Sequence, residues 1–159
     1  MARHDYEITL TWTGDRGTGT SDHRSYSRDH VVGADGYPPI DGSSDPAFRG
    51  TPARWNPEQL YVASIAQCHM LWYLHLAAQA GITVTGYSDR PTAVMVEEAS
   101  GAGQFESVTL NPVVTVLPGC DADLAQELHD RVGEYCFIAR SVNTPIHHHS
   151  TIRVSTTAT

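Results

Sequence analysis

The sequence predicts an α+β fold in which short strands accompany one long, nearly all-apolar helix. Three observations lead there. Tyr6, Ile8, Leu10 and Trp12 alternate with polar residues, the period of two expected of a half-buried strand. From Asn56 to Ala80 nothing breaks a helix, and almost every face is apolar. A further run after Asp121 places Leu124, Leu128, Val132 and Cys136 at four-residue spacing, the stripe of an amphipathic helix.

The elements follow in order. After the first strand, Thr13-Gly14-Asp15-Arg16-Gly17-Thr18-Gly19 reads as a turn, with a second strand through the Thr20–Tyr26 region. Residues 33–55 are rich in Gly, Pro, Ser and Asp and read as one long connection. Asn56 is a good N-cap, Pro57 suits the first helical position, and Glu58 places a negative charge in the first turn. Gly81 is a natural stop. An apolar stretch with so little polar face predicts a buried central helix. Strands are expected at 82–85, 92–97 and 105–116, the last interrupted near Pro112, and at 152–155. No repeat or linker divides the 159 residues, which are read as a single domain.

Composition narrows the function. A formal net charge of -8 disfavours a nucleic-acid or anionic-membrane partner, each of which needs a basic face. All ten basic residues are arginine, so Schiff-base and lysine general-base chemistry are excluded. No run has the length of a signal peptide or a membrane span, which predicts a cytoplasmic protein. In that compartment cysteines stay reduced, and a cysteine pair is better read as catalytic or metal-binding than as a structural disulfide.

Cys68 stands at the middle of the long helix. At about 100° per residue, Tyr61, Ser64, Ile65, Trp72, His75 and Gln79 share its general side. Cys136 closes the inward stripe of the second helix, so the two thiols can meet where the helices pack. Either cysteine alone would read as a small inert hydrophobe; two facing inward from the two main helices point to redox chemistry. Cys120, in a Pro-Gly-Cys-Asp turn, reads as an exposed bystander. A thiolate that attacks a peroxide O–O bond becomes a sulfenic acid, and a neighbouring thiol condenses with it to a disulfide that an external thiol resets. The attacking thiol needs a cationic neighbour, since burial alone raises its pKa, and an arginine held by a carboxylate fits that need.

Asn56-Pro57-Glu58-Gln59-Leu60, followed ten residues after Glu58 by Cys68, resembles the OsmC/Ohr family of osmotically inducible and organic hydroperoxide resistance proteins. Cys136-Phe137-Ile138-Ala139-Arg140-Ser141-Val142 resembles the second cysteine motif of that family, and the Trp12–Thr20 segment its first hairpin. The resemblance implies an intertwined homodimer, with antiparallel sheets wrapped around a long central helix and the active site at the subunit interface. It implies that Cys68 is the peroxidatic and Cys136 the resolving cysteine, with Glu58 the carboxylate and Arg16 the arginine. It implies a cofactor-free, metal-free peroxidase for organic hydroperoxides, recycled by a dithiol of lipoyl type. Ten helical residues separate Glu58 from Cys68 by roughly 15 Å, so the arginine–carboxylate pair and the thiol pair are expected to assemble across the dimer.

Arg24, Arg28, Arg49 and Arg54 compete with Arg16 for the cationic role. The bulky Trp72-Tyr73 segment after the nucleophile would reshape a peroxide pocket, and an apolar lining favours an alkyl or lipid hydroperoxide over hydrogen peroxide. His147-His148-His149 reads as a solvated loop, because consecutive histidines point different ways, and His69 and His75 read as core or pocket-lining residues. The Gly14–Gly19 segment lacks the lysine and strand-to-helix context of a phosphate loop. Hydrolysis by Cys68 with a histidine base leaves Cys136 unexplained. The stronger rival is a non-catalytic dimer of the same fold that binds a small apolar ligand in its interface pocket.

Overall fold

The computed structural model describes residues 1–156. The chain divides into two compact units, Met1–Tyr61 and Val62–Thr159.

The first unit holds an antiparallel sheet of β1 (Thr9–Trp12), β2 (His30–Gly33) and β3 (Ile40–Gly42), in that order. The strand expected at Thr20–Tyr26 is absent there; pairing resumes only at His30, opposite Trp12. The cause is local. Asp22 and Ser25 spend their side chains on nearby backbone (Arg24 N to Asp22 Oδ1 at 2.8 Å, Ser25 Oγ to Gly19 O at 3.0 Å), which competes with extended pairing. The connection at 33–55 is also more ordered than its composition predicts. It contains β3 and a 3-10 turn, Pro46–Phe48, capped by Asp45, whose Oδ1 accepts from Ala47 N at 2.8 Å.

Helix α1 (Pro57–Gln79) begins as its sequence predicts. Gln59 N donates to Asn56 Oδ1 at 2.8 Å, and Asn56 N donates to Gln59 Oε1 at 3.2 Å, a reciprocal box that satisfies two otherwise orphaned donors. Gly81, at φ +75°, ends it: Ile82 N reaches back to Ala77 O at 2.9 Å through a left-handed turn that glycine adopts without penalty.

In the second unit, α1 is followed by two three-stranded sheets. One has the order β4 (Val84–Ser88), β7 (Val113–Val116), β9 (Thr151–Val154). The other has β5 (Thr92–Glu97), β6 (Gly103–Leu110), β8 (Ile146–His148). The expected break in the 105–116 segment falls at Asn111-Pro112, where Asn111 N donates to Asp89 Oδ1 at 2.7 Å instead of continuing a ladder. The antiparallel sheets expected are in fact mixed: β8 runs parallel to β6 and β9 parallel to β7. Both late strands return after α2 (Ala122–Tyr135), whose crossover lets the chain re-enter each sheet in the direction of its neighbour. Asp121 caps α2 through Leu124 N at 3.0 Å.

The core lies where α1, α2 and the β4-β7-β9 sheet meet, with Tyr73, Leu76, Val114, Val116, Leu128 and Val132 fully or nearly fully buried. Within the chain, α1 is not buried all round. Its buried side chains, Ile65, His69, Tyr73, Leu76 and Ala77, form a single stripe, and Leu71 on another face is 61% exposed.

Candidate thiol site

Cys68 projects from the fourth turn of α1, and Cys136 is the residue at which α2 ends. All three cysteines are free. Cys136 is 1% exposed within the core and Cys68 packs half-buried against the same cluster. The two thiols are hydrogen-bonded. Burial, and after it the contact with Cys68, push the Cys136 thiol up to about 11, so Cys136 keeps its proton at neutral pH. Opposing this, Ala139 N, in the 3-10 turn that follows, points at the Cys136 sulfur from 3.4 Å. The two thiols thus meet where the helices pack, the arrangement that the inward stripe of α2 and the mid-helix place of Cys68 left open.

An aromatic wall stands beside the pair. Trp72, one turn beyond Cys68, stacks on Tyr135 (5.3 Å between centroids, 29° between planes) and meets Phe137 edge-on at 5.6 Å. Tyr135 and Phe137 are the two neighbours of Cys136 in the chain. Tyr73 turns the other way, into the core, where its hydroxyl donates to Ala125 O at 3.0 Å. The bulk after Cys68 is thus split between a wall and the core. Of the other residues expected on the Cys68 side, Ile65 is buried while His75 and Gln79 face solvent.

The carboxylate and arginine are not brought together as an ion pair. Arg16 sits exposed at the tip of a turn that Asp15 organises, its Oδ1 accepting from Gly17 N and Gly19 N at 2.9 Å each. Those bonds hold the Asp15 carboxyl below its usual range. Glu58, in the first turn of α1, has a buried Oε2 with no hydrogen-bond partner among the described residues. Two rival arginines are engaged elsewhere. Arg54 pairs with Asp41 at 3.4 Å and Asp29 at 3.7 Å, and Arg28 donates to His23 O and Tyr26 O at 2.7 and 2.9 Å while lying over the Tyr26 ring. Arg24 and Arg49 are exposed.

Three readings of single residues change. Cys120 is half-buried against the core and accepts from Thr83 N at 3.4 Å, so it is not an exposed bystander. His147 and His148 belong to β8 rather than to a loop, and the alternation of a strand turns His148 inward. There it meets His69 of α1 and His129 of α2, with ring centroids 5.7 and 5.9 Å away. His69 Nε2 and His129 Nδ1 are 2.9 Å apart. His129 was missed by sequence reasoning, although its place on α2, one residue after Leu128 and three before Val132, was a usable signal. These three imidazoles and Cys136 line one cavity of about 280 Å³ with Ile65, Leu110 and Asp130 among its other walls. Among the described residues, no group of His, Cys, Asp or Glu is arranged to hold a metal ion. No described helix is long and apolar enough to cross a membrane.

Residues 50–150 match the family model described as OsmC-like protein. That span contains Glu58, Cys68 and Cys136 and excludes Arg16. An OsmC-like protein of unknown function from Vibrio cholerae has a similar structure, at 27% identity over 94% of this chain and 100% of that one, with a TM-score of 0.84. An organic hydroperoxide resistance protein from Elizabethkingia anophelis is similar at 18% identity over 97% and 100%, TM-score 0.67. The organic hydroperoxide resistance protein OhrB of Bacillus subtilis is similar at 22% identity over 94% and 98%, TM-score 0.58. At their identities the last two are likenesses of fold. No curated protein matches the chain at a significant level.

Proposed function

Taking as premise that this chain belongs to the OsmC-like protein family, we propose that it is a cytoplasmic, thiol-dependent peroxidase for organic hydroperoxides. The observation that carries this reading is the contact between two free thiols delivered by separate helices into one core. In the cycle, the Cys68 thiolate attacks one peroxide oxygen and the O–O bond breaks. The alkoxide leaves and takes up a proton as an alcohol, and Cys68 becomes a sulfenic acid. Cys136 then attacks the sulfenic sulfur, its proton leaves with the departing hydroxide as water, and the disulfide forms. An external dithiol, of lipoyl type by family likeness, is oxidised to its own disulfide and restores both thiols. While Cys68 attacks, the Cys136 S–H faces the sulfur that carries the charge, and the Trp72–Tyr135–Phe137 wall gives an alkyl tail apolar surface that hydrogen peroxide cannot use.

The working unit is a homodimer in which Arg16 supplies the cation and Glu58 holds it. Support comes from the unpaired, buried Glu58 Oε2, which a guanidinium would satisfy, and from the apolar faces of α1 that one chain leaves uncovered. A central helix buried on every side belongs to that dimer.

The test is turnover of cumene hydroperoxide with dihydrolipoamide as reductant, alongside Cys68→Ser and Cys136→Ser. The expected result is activity in the wild type, none in Cys68→Ser, and overoxidation of Cys68 in Cys136→Ser. A wild type that turns over no peroxide with any dithiol favours a second reading, a non-catalytic binding protein. That reading draws on the cavity beside Cys136 and its apolar walls Ile65, Leu110 and Val132.

A further inference from the structure

The same thiol pair has a second polar fastening. Besides the thiol contact, α1 and α2 are joined by the His69 Nε2–His129 Nδ1 hydrogen bond of 2.9 Å, between rings nearly parallel at 9°. His69 follows Cys68 directly, and His129 lies two turns before Cys136 on the same helix. Both rings are almost wholly buried, at 6% and 1% exposure, and Tyr73 seals His129 by stacking on it at 4.0 Å. The remaining nitrogen of His129, Nε2, is buried with no partner among the described residues.

We propose that His69 and His129 are positioning residues for the Cys68–Cys136 pair, and that their hydrogen bond is a clasp released by acid. The bond needs one proton between two facing nitrogens. A second proton would set two N–H donors against each other at 2.9 Å and place charge in a site without a buried counter-ion. The groups that face the clasp offer little relief. From α1 there is neutral Tyr73, and from β8 there is His148, itself a potential cation. From α2 there is Asp130, whose largely exposed carboxylate already faces His148 Nε2 at 3.3 Å. Across from Tyr73, β4 contributes neutral Tyr87.

The linkage has a definite sign. Burial lowers His69 to about 4 and His129 to about 3, with His148 adding to both shifts. Solvent-exposed histidine titrates near 6.5. The closed clasp is therefore fully favoured above about pH 6.5 and loses ground as pH falls toward the buried values, because the open form binds more protons. Opening parts α1 from α2 and uncovers Cys136.

This inference concerns the thiol pair of the proposed peroxidase, but its test needs no peroxide, so either idea can fail alone. The protein is labelled with 4,4′-dithiodipyridine at pH 7 and at about pH 4.5, each cysteine is assigned by peptide mass, and rates are normalised to a free thiol at the same pH. Far-UV circular dichroism is followed in parallel. The expected result is Cys136 labelling at least about tenfold faster at the lower pH with helix content retained. In His69→Gln/His129→Asn, whose amides can hydrogen-bond but not titrate, Cys136 stays protected at both. Continued protection of Cys136 in the wild type overturns the proposal, as does equal opening in the variant, or loss of helix content together with protection. Histidine NMR titration of the wild type serves if the variant does not fold. Two of the ring signals must then shift in step with Cys136 exposure, below about pH 5, and midpoints near 6.5 for every histidine overturn the clasp.

Discussion

At the scale of single residues, the electrostatics of Cys136 set the pace of the proposed chemistry. A thiol held near 11 is almost wholly protonated at neutral pH, and the thiolate is the attacking species. Disulfide formation after a single peroxide turnover is thus expected to accelerate by about tenfold per pH unit between pH 7 and 9, with no plateau. Stopped-flow fluorescence from Trp72 would read it, and a rate independent of pH would assign the attacking form otherwise. Tyr73 gives a second residue-level expectation. Its hydroxyl donates to Ala125 O in a fully buried setting, and Tyr73→Phe removes that bond without changing the ring's volume or its stacking on His129. The expected cost is about 1 kcal/mol in urea unfolding, since one net buried hydrogen bond is lost and the carbonyl remains within a helix. A cost several times larger would mean that the hydroxyl organises the imidazole cluster as well.

Elements answer to different forces. Helix α1 has its start fixed by a side-chain box and its end by a left-handed glycine, both local; the Asn56 cap and the Gly81 stop are legible in the sequence, the return bond from Gln59 is not. Asn56 does more than cap: its Nδ2 also donates to Asp45 Oδ2 at 3.2 Å, tying the helix start to the turn at Pro46–Phe48. Asn56→Ala is expected to cost about 1–2 kcal/mol, at the upper end for a cap because both bonds go, whereas Gln59→Ala removes only the return bond and costs less. Thermal melts of the two variants check the order; equal effects would mean that the Asp45 contact contributes nothing. Strands were less legible where polar side chains could fold back on their own backbone, as at Asp22 and Ser25, or where the partner arrives late in the chain. The β8 assignment shows the second case. Three histidines in a row carry no strand pattern by themselves; the parallel pairing of Ile146 with Val108 and His148 with Leu110 puts the first two of them in β8.

For the whole molecule, the decisive quantity is the apolar surface that one chain leaves uncovered. Leu71 is 61% exposed on α1, and β5 is exposed along its full length, with Val94 50% and Val96 46% exposed. In a homodimer, Leu71→Glu is expected to shift sedimentation from twice the 17.3 kDa chain mass to the monomer, and to abolish peroxidase activity if Arg16 and Glu58 act across subunits. A Leu71→Glu protein that sediments as wild type would remove that face from the interface.

What the sequence determined by itself is whatever a few neighbouring residues can enforce: the caps of α1 and α2, the inward stripe of α2, the placement of a cysteine on each helix, and strand β5 from Thr92 to Glu97. Those follow from hydrogen bonds and periodicity within one or two turns of chain. Only the tertiary structure decided that Cys136 meets Cys68 and keeps its proton, that β8 and β9 join their sheets in parallel, and that His69, His129 and His148 converge on one cavity. Each of these depends on segments far apart in the chain being packed together, and burial, which sets the state of every thiol and imidazole in the site, exists only once that packing is complete.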